Sequence, residues 1–422
     1  MNILYLCDEF PPYFRGGLGT YAIEMTWRYV NEGENVVVFA RNPDNKAVTR
    51  DLYRGVEVHR PQTVEATDIL PAMIPQDVRL WAPPAQKFFA ETLMYNILTC
   101  TKVVNQLVAR EGRKFDLIVA HDWLASLGGI ILKKQLGLPL VVHFHSTEHG
   151  RSGGSGSPTI REIERLAAFT ADRIVTVSYA MRDELIGLGY PEAKIRVVYN
   201  AVDEKKYDPA RIPREEVEQL RKELGIGESP MIFFVGRLSW VKGADSLVQA
   251  MPYILREVPD AKLVVVGRGE QEGMLSDMVK RLGIEKSVVL KFEYLPEQQR
   301  ILYYAACDVA VFPSRYEPFG IVCTEAMAMG KPVVVGAKGT SGLREQIIPY
   351  DLPHAKRCGS HVDPDIPYDI AKFVIELLKD RELRERLGRN ARERVLERFT
   401  LDRAARETLS VYRELVQKGG AS

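Results

Sequence analysis

Short, β-branched apolar runs alternate along this chain with longer stretches in which apolar residues return every three or four positions. Residues 3–6 form the first such run; a helical pattern follows over 20–31, then a second run over 35–40. The rhythm continues at 117–120, 140–145, 174–177 and 195–199, and resumes at 231–235, 263–266, 288–291, 309–312 and 333–335. Strands so continuously apolar are covered by helices on both faces, which predicts parallel βαβ units and an α/β fold. Two helical patterns, 383–397 and 401–417, close the chain. Between the halves, Asn200 to Pro209 is polar and turn-rich, and the hinge is expected there. The proline-rich region from Pro61 to Pro84 has no clear period and reads as an irregular insertion. No short internal repeat is visible; the halves share only their βα rhythm.

A length of 422 residues exceeds what one core usually serves, so two domains are expected. The net charge of +1, from 57 basic and 56 acidic residues, gives no global pull toward nucleic acid or an anionic membrane. Phosphate binding must then be local. Cys7, Cys100, Cys307, Cys323 and Cys358 are scattered and lack metal-ligand spacing, as expected of reduced thiols in a cytoplasmic protein. The N-terminus enters a strand pattern without a basic region, so no signal peptide is expected. No apolar stretch approaches the ~20 residues of a spanning helix. Peripheral membrane contact and the oligomeric state are left open.

Candidate chemistry concentrates in the stretch from Arg315 to Val335. Glu317 and Glu325 stand eight positions apart, and between them the chain is expected to turn from a strand end through Phe319-Gly320 into a helix over 322–329. A helix N-terminus offers amides and a positive dipole to an anion, while carboxylates accept hydrogen bonds from hydroxyls. A phosphorylated sugar or nucleotide carries both kinds of group. Arg237 and Lys242 follow the run 231–235 and should emerge at the carboxyl edge of a sheet, where ligands bind. By spacing alone they are either a diphosphate clamp or solvated surface charges. Gly16-Gly17-Leu18-Gly19 is either a phosphate-approaching turn or a tight βα connection. The glycines Gly267, Gly269 and Gly273 depart from the dinucleotide spacing and lie mid-chain, which argues against an oxidoreductase. His143 and His145 alternate along one strand and are taken to point to opposite faces, only one of them toward a cleft. The Gly/Ser-rich run 150–158 is either a mobile lid or a plain surface loop.

The E-x7-E spacing in its Pro-Phe-Gly and Glu-Ala-Met-Ala-x-Gly-x-Pro frame, with Gly-Gly-Leu-Gly at 16–19 and Gly-Arg-x4-Lys at 236–242, resembles the retaining GT-B glycosyltransferases of family 4. His145-Ser-Thr-Glu-His149-Gly-Arg151 is most similar to glycogen-synthase-like members. The resemblance implies two Rossmann-like, doubly wound domains facing a central cleft: 1–205 on the acceptor side, 206–398 binding the nucleotide sugar, and a helix over 399–422 returning to the first domain. It implies that Glu317 grips the donor sugar, with Arg237 and Lys242 on the diphosphate and His145 on the sugar. It places Glu325 on the ribose, amides of Phe319, Gly320 and Ile321 on the diphosphate, and Gly17, Gly267 and Gly269 along the donor. Residues 292–295 would lie near the base, with Glu148 and His149 as acceptor-side candidates. The implied reaction moves a sugar, glucose in this branch, from a nucleoside-diphosphate sugar to a carbohydrate acceptor, an α-glucan, with retained configuration. Where many glycogen and starch synthases carry a lysine before the glycines, this chain has Phe14-Arg15, which leaves the donor open. Asp363-Pro-Asp365 resembles the D-x-D metal motif of the other large glycosyltransferase architecture, but is expected far from the motif loops. The histidines and cysteines are expected to form no ligand cluster, so neither metal nor cofactor is expected. Other readings are transfer to a small sugar or lipid-linked acceptor, a nucleotide-sugar-binding protein without turnover, and a nucleotide-sugar epimerase.

Overall fold

A computed structural model describes residues 1–13, 16–64, 74–349, 352 and 355–419; Phe14-Arg15 and residues 65–73 lie outside them. By its own packing the chain divides into two units. The first comprises Met1–Val177, Arg182–Val198 and the segment from Asp402 on; the second comprises Ser178–Met181 and Tyr199–Leu401.

The first unit is built on eight strands: β1 (Asn2–Leu6), β2 (Asn35–Phe39), β3 (Arg50–Tyr53), β4 (Val56–His59), β5 (Leu117–His121), β6 (Leu140–Phe144), β7 (Arg173–Thr176) and β8 (Ile195–Val197). Their order is β3-β4-β2-β1-β5-β6-β7-β8, parallel except for the β3–β4 hairpin. That hairpin escapes the apolar pattern because β3 (Arg-Asp-Leu-Tyr) is largely exposed. The helix Pro83–Thr101 likewise begins inside the region read as an irregular insertion. The helix Leu401–Gly419 packs on this unit from Asp402 on, burying Ala404, Ala405, Leu409 and Tyr412. Asp402 accepts from Arg28 Nε at 2.8 Å, and Arg413 donates to Glu34 at 2.5 Å.

The second unit has six parallel strands: β9 (Met231–Val235), β10 (Lys262–Val266), β11 (Val288–Lys291), β12 (Val309–Phe312), β13 (Val333–Gly336) and β14 (Gly359–Val362), in the order β11-β10-β9-β12-β13-β14. This is the doubly wound Rossmann order, which reverses direction between β9 and β12. Helices Ala244–Glu257 and Pro367–Lys379 pack Leu247, Met251, Ile370 and Val374 with Ile232, Val265 and Val311 of the strands. In the first sheet the reversal falls between β1 and β5. Open α/β sheets bind ligands outside the carboxyl ends of the strands at such reversals, and this places two candidate sites, one on each unit. Among the described residues no helix is long and apolar enough to cross a membrane.

Candidate functional sites at the two sheet reversals

In the second unit the loops leaving β9, β10, β12 and β13 are joined through main-chain atoms. Leu238 N–H donates to Arg268 O at 2.8 Å, Arg315 N–H to Val241 O at 2.8 Å, and Glu317 N–H to Thr340 O at 3.0 Å. This close approach explains the glycines Gly267 and Gly269. A Cβ on the first would stand 1.9 Å from Gly236 O, and one on the second 2.2 Å from Leu238 O. Both glycines therefore have a packing role, whatever ligand passes over them. Gly243 has φ +72°, and an added Cβ would meet Pro313 O at 2.0 Å. Gly243→Ala is expected to lower stability by about 1–3 kcal/mol through strain and overlap. Thermal melting checks this, and an unchanged midpoint would contradict the close approach.

This framework brings Lys242 and Glu317 together across the β9/β12 reversal. Lys242 Nζ donates to Glu317 Oε2 at 2.5 Å, with the carboxylate side chain 11% and the ammonium side chain 26% exposed. Gly320, at φ +91°, caps the helix Ile321–Ala328, which begins one residue before its expected start. Phe319 is a core side chain, in ring contact with Tyr199 and Phe399, so only its backbone is available to a ligand. Arg237 extends into solvent, its side chain 74% exposed and only loosely paired with Glu270 at 3.7 Å.

Glu325 is held differently. Its Oε1 accepts from Tyr207 Oη at 2.8 Å and Arg300 Nη2 at 2.8 Å; its Oε2 accepts from Arg300 Nε at 2.8 Å and Tyr304 Oη at 3.0 Å. A carboxylate has about four acceptor positions; Tyr207 and Arg300 take three, and the single proton of Tyr304 is shared between Oε2 and Val322 O at 3.0 Å. Burial and the Glu325 charge push both phenols up, so they stay protonated donors. Arg300 also donates to Leu295 O at 3.2 Å, tying Glu325 to the 292–295 segment.

The Asp363-Pro-Asp365 pair is not remote from the motif loops, because β14 lies beside β13 at the same sheet edge. Asp365 accepts from Arg315 Nε at 2.7 Å and Lys338 Nζ at 3.1 Å, and Asp363 pairs with Lys338 at 3.3 Å. The two carboxylates thus serve as anchors for cationic side chains.

In the first unit, Gly17 opens the helix Gly17–Asn31 after β1, with Gly16 as its N-cap. Across the reversal, Asp122 follows β5 with a left-handed φ of +50°, an uncommon backbone for a non-glycine residue and one concentrated at functional sites. Its Oδ1 accepts the backbone N–H of His145 at 2.8 Å. Pattern reasoning missed Asp122; the signal available was His121-Asp122 closing the apolar run 117–120 at a carboxyl strand end.

His143 and His145 lie on the same side of their strand, contrary to the expectation of opposite faces. Positions two apart share a face, and the rings are 6.0 Å apart at 19°. With His121 they form a cluster with one nitrogen of each ring within 4.8 Å of the others, a spacing that could hold a metal ion, which corrects the expectation that the histidines form no ligand cluster. Burial lowers the pKa of all three, so the rings are neutral at neutral pH. His143 Nε2 bonds Tyr412 Oη at 2.7 Å, and His121 Nδ1 bonds His145 Nε2 at 3.0 Å.

After β6, Glu148 Oε1 accepts Ser157 N–H at 2.9 Å and Oε2 accepts from Arg151 at 3.2 Å. The carboxylate thus pins the 150–158 loop. Glu164 receives the Glu148 N–H at 2.9 Å, and burial raises it to about 8. His149 lies beside Gly154 on the same loop, where an added Cβ would be 3.4 Å from its ring.

Residues 15–206 match the family model Glycosyltransferase Family 4, and residues 216–394 match Glycosyl transferases group 1. An uncharacterized glycosyltransferase of Methanocaldococcus jannaschii is 33% identical over 425 residues, 100% of each chain. The glycogen synthase of Mycobacterium tuberculosis is 28% identical over 429 residues, 98% of this chain and 94% of that one. The solved structure of sucrose-phosphate synthase from Thermosynechococcus elongatus aligns over 100% of both chains, with a TM-score of 0.79 at 23% identity, a likeness of fold. Two Rossmann-like units and matches spanning both halves lead to one conclusion: the chain belongs to the GT-B glycosyltransferases, with a family 4 first half and a group 1 second half, and resembles their glycogen-synthase-like members.

Proposed function

We propose that this protein transfers glucose from a nucleoside-diphosphate glucose to the end of an α-glucan, with retention at the anomeric carbon. The observation that carries the reading is the Lys242–Glu317 pair over the β9/β12 reversal. An ammonium has three donors; one engages Glu317, which leaves others for the diphosphate. The exposed Arg237 arm and the first amides of the helix Ile321–Ala328 would add to the same charge. A cation held in place beside the diphosphate, as Lys242 is by Glu317, stabilises the negative charge that develops as the anomeric C–O bond breaks. Glu317, through its free oxygen, and His145 would orient sugar hydroxyls. The acceptor hydroxyl then bonds to the anomeric carbon on the face the phosphate leaves, passing its proton to a phosphate oxygen. Glu317 is tied to Lys242 and is read as an orienter, so no second nucleophile is invoked. Glu325, held by Tyr207, Arg300 and Tyr304, is read as a brace for the nucleotide side; gripping the ribose directly would require Tyr304 to give its proton to Val322 O instead. The glycogen synthase relative supports the α-glucan acceptor. Since Lys242 and Arg237 supply the positive charge, no divalent ion or cofactor is required.

The test is nucleoside diphosphate release from UDP-, ADP- and GDP-glucose, with and without glycogen, maltooligosaccharide or small sugars, in chelator throughout. Release that rises only with an α-glucan supports the proposal. Release only with a small or lipid-linked acceptor keeps the glycosyltransferase and discards the glucan, and complete loss of turnover in chelator overturns the metal-free reading.

A further inference from the structure

His121 Nδ1 and His145 Nε2 are 3.0 Å apart, and when both rings are neutral only one of these nitrogens carries the proton between them. The other nitrogen of His121, Nε2, is buried and has no hydrogen-bond partner. If His145 were the donor, the proton of His121 would sit on that Nε2 as a buried N–H aimed at nothing, and orphaned buried N–H groups are rare. If His121 is the donor, the unpaired nitrogen is a bare lone pair beside the Tyr5 ring, 4.5 Å away between centroids. The proton of His145 then sits on Nδ1, on a ring that is only partly buried.

We infer that His121 is a positioning residue: its Nδ1–H locks His145 in the Nδ1–H tautomer, so that His145 meets the transferred sugar as a hydrogen-bond donor and not as a base. The tautomer stands on the geometry of the first unit alone, while its use on the sugar rests on the proposed transfer. Two further contacts hold His145 in place: Asp122 Oδ1 takes its backbone N–H, and Tyr21 packs edge-on against its ring at 4.7 Å. The neighbouring His143 spends its Nε2 on Tyr412.

The experiment uses the full chain with 15N-labelled histidine, His145 being assigned by its loss in His145→Gln. His121→Asn keeps a donor near the Nδ1 position; His121→Phe keeps a flat ring and removes it. The expected result is an Nδ1–H signature for His145 in the parent chain and in His121→Asn, lost in His121→Phe. Turnover should fall at least about tenfold in His121→Phe, with the donor KM within about twofold, and largely return in His121→Asn. An Nε2–H signature in the parent chain overturns the inference, as does an unchanged His145 signature in His121→Phe. Should the chain transfer no sugar at all, the NMR readout still decides the tautomer, so the two failures are distinguishable.

Discussion

Lys242→Ala is expected to reduce donor turnover by about 10²–10³-fold, the usual loss when one preorganised group facing transition-state charge is removed. Glu317→Ala should fall comparably. Each change breaks the same 2.5 Å contact, and on the proposed reading either one disables the pair as a unit. The double variant should therefore be little worse than either single one, because groups acting as a unit are not additive. Lys242→Arg is not a conservative substitute, since a planar fork replaces a compact ammonium. Steady-state nucleoside diphosphate release, read beside the melting temperature, checks this. The fold should hold, because the loops that carry both residues are joined through main-chain atoms that neither substitution touches. Near-normal turnover in both single variants would remove the site assignment from the β9/β12 reversal.

Glu325→Ala is expected to act first on stability. It strips the guanidinium of Arg300, 17% exposed, of its carboxylate partner and leaves Tyr207 without an acceptor, while Tyr304 keeps Val322 O at 3.0 Å. Breaking a buried pair from one side typically costs about 3–5 kcal/mol, a drop of roughly 10 °C in melting temperature for a unit of this size. Replacing both partners with apolar residues, Glu325→Leu with Arg300→Met, should recover part of that loss, since no unpaired charge then remains. If Glu325→Ala instead melts like the parent and loses only nucleoside diphosphate affinity, the carboxylate is a direct ribose ligand. Calorimetric melting and titration with UDP and ADP separate the two outcomes.

The parallel strands are legible because each sheet is covered on both faces, which forces runs such as Leu263 to Val266 to be apolar throughout. The hairpin strand β3 and the strand β14 lack that signal: one is largely exposed, and the other carries Ser360 and His361. At the candidate site, Lys242 and Glu317 were legible because both follow strands that end at the same edge. The Glu325 network was not, since Tyr207 lies 118 positions away and no local pattern links it to Arg300 or Tyr304. The histidines failed for another reason: a period-two strand places His143 and His145 together, and a third ring, His121, arrives from the neighbouring strand β5. The left-handed backbone of Asp122 has no sequence marker beyond its residue type.

The glycines that let the β9 and β10 loops touch also constrain how this enzyme can diverge. Leu238, Arg268 and Phe292 form a relay, in which Leu238 N–H reaches Arg268 O and the Arg268 guanidinium reaches Phe292 O. A residue inserted into or deleted from any one of these loops displaces the other two. Exchanging an outward side chain, such as the 62% exposed Tyr294, leaves their path intact. Variation in donor preference within this architecture should therefore be written in side-chain substitutions at constant loop length, and changes of length should collect at exposed sheet edges such as the β3–β4 hairpin.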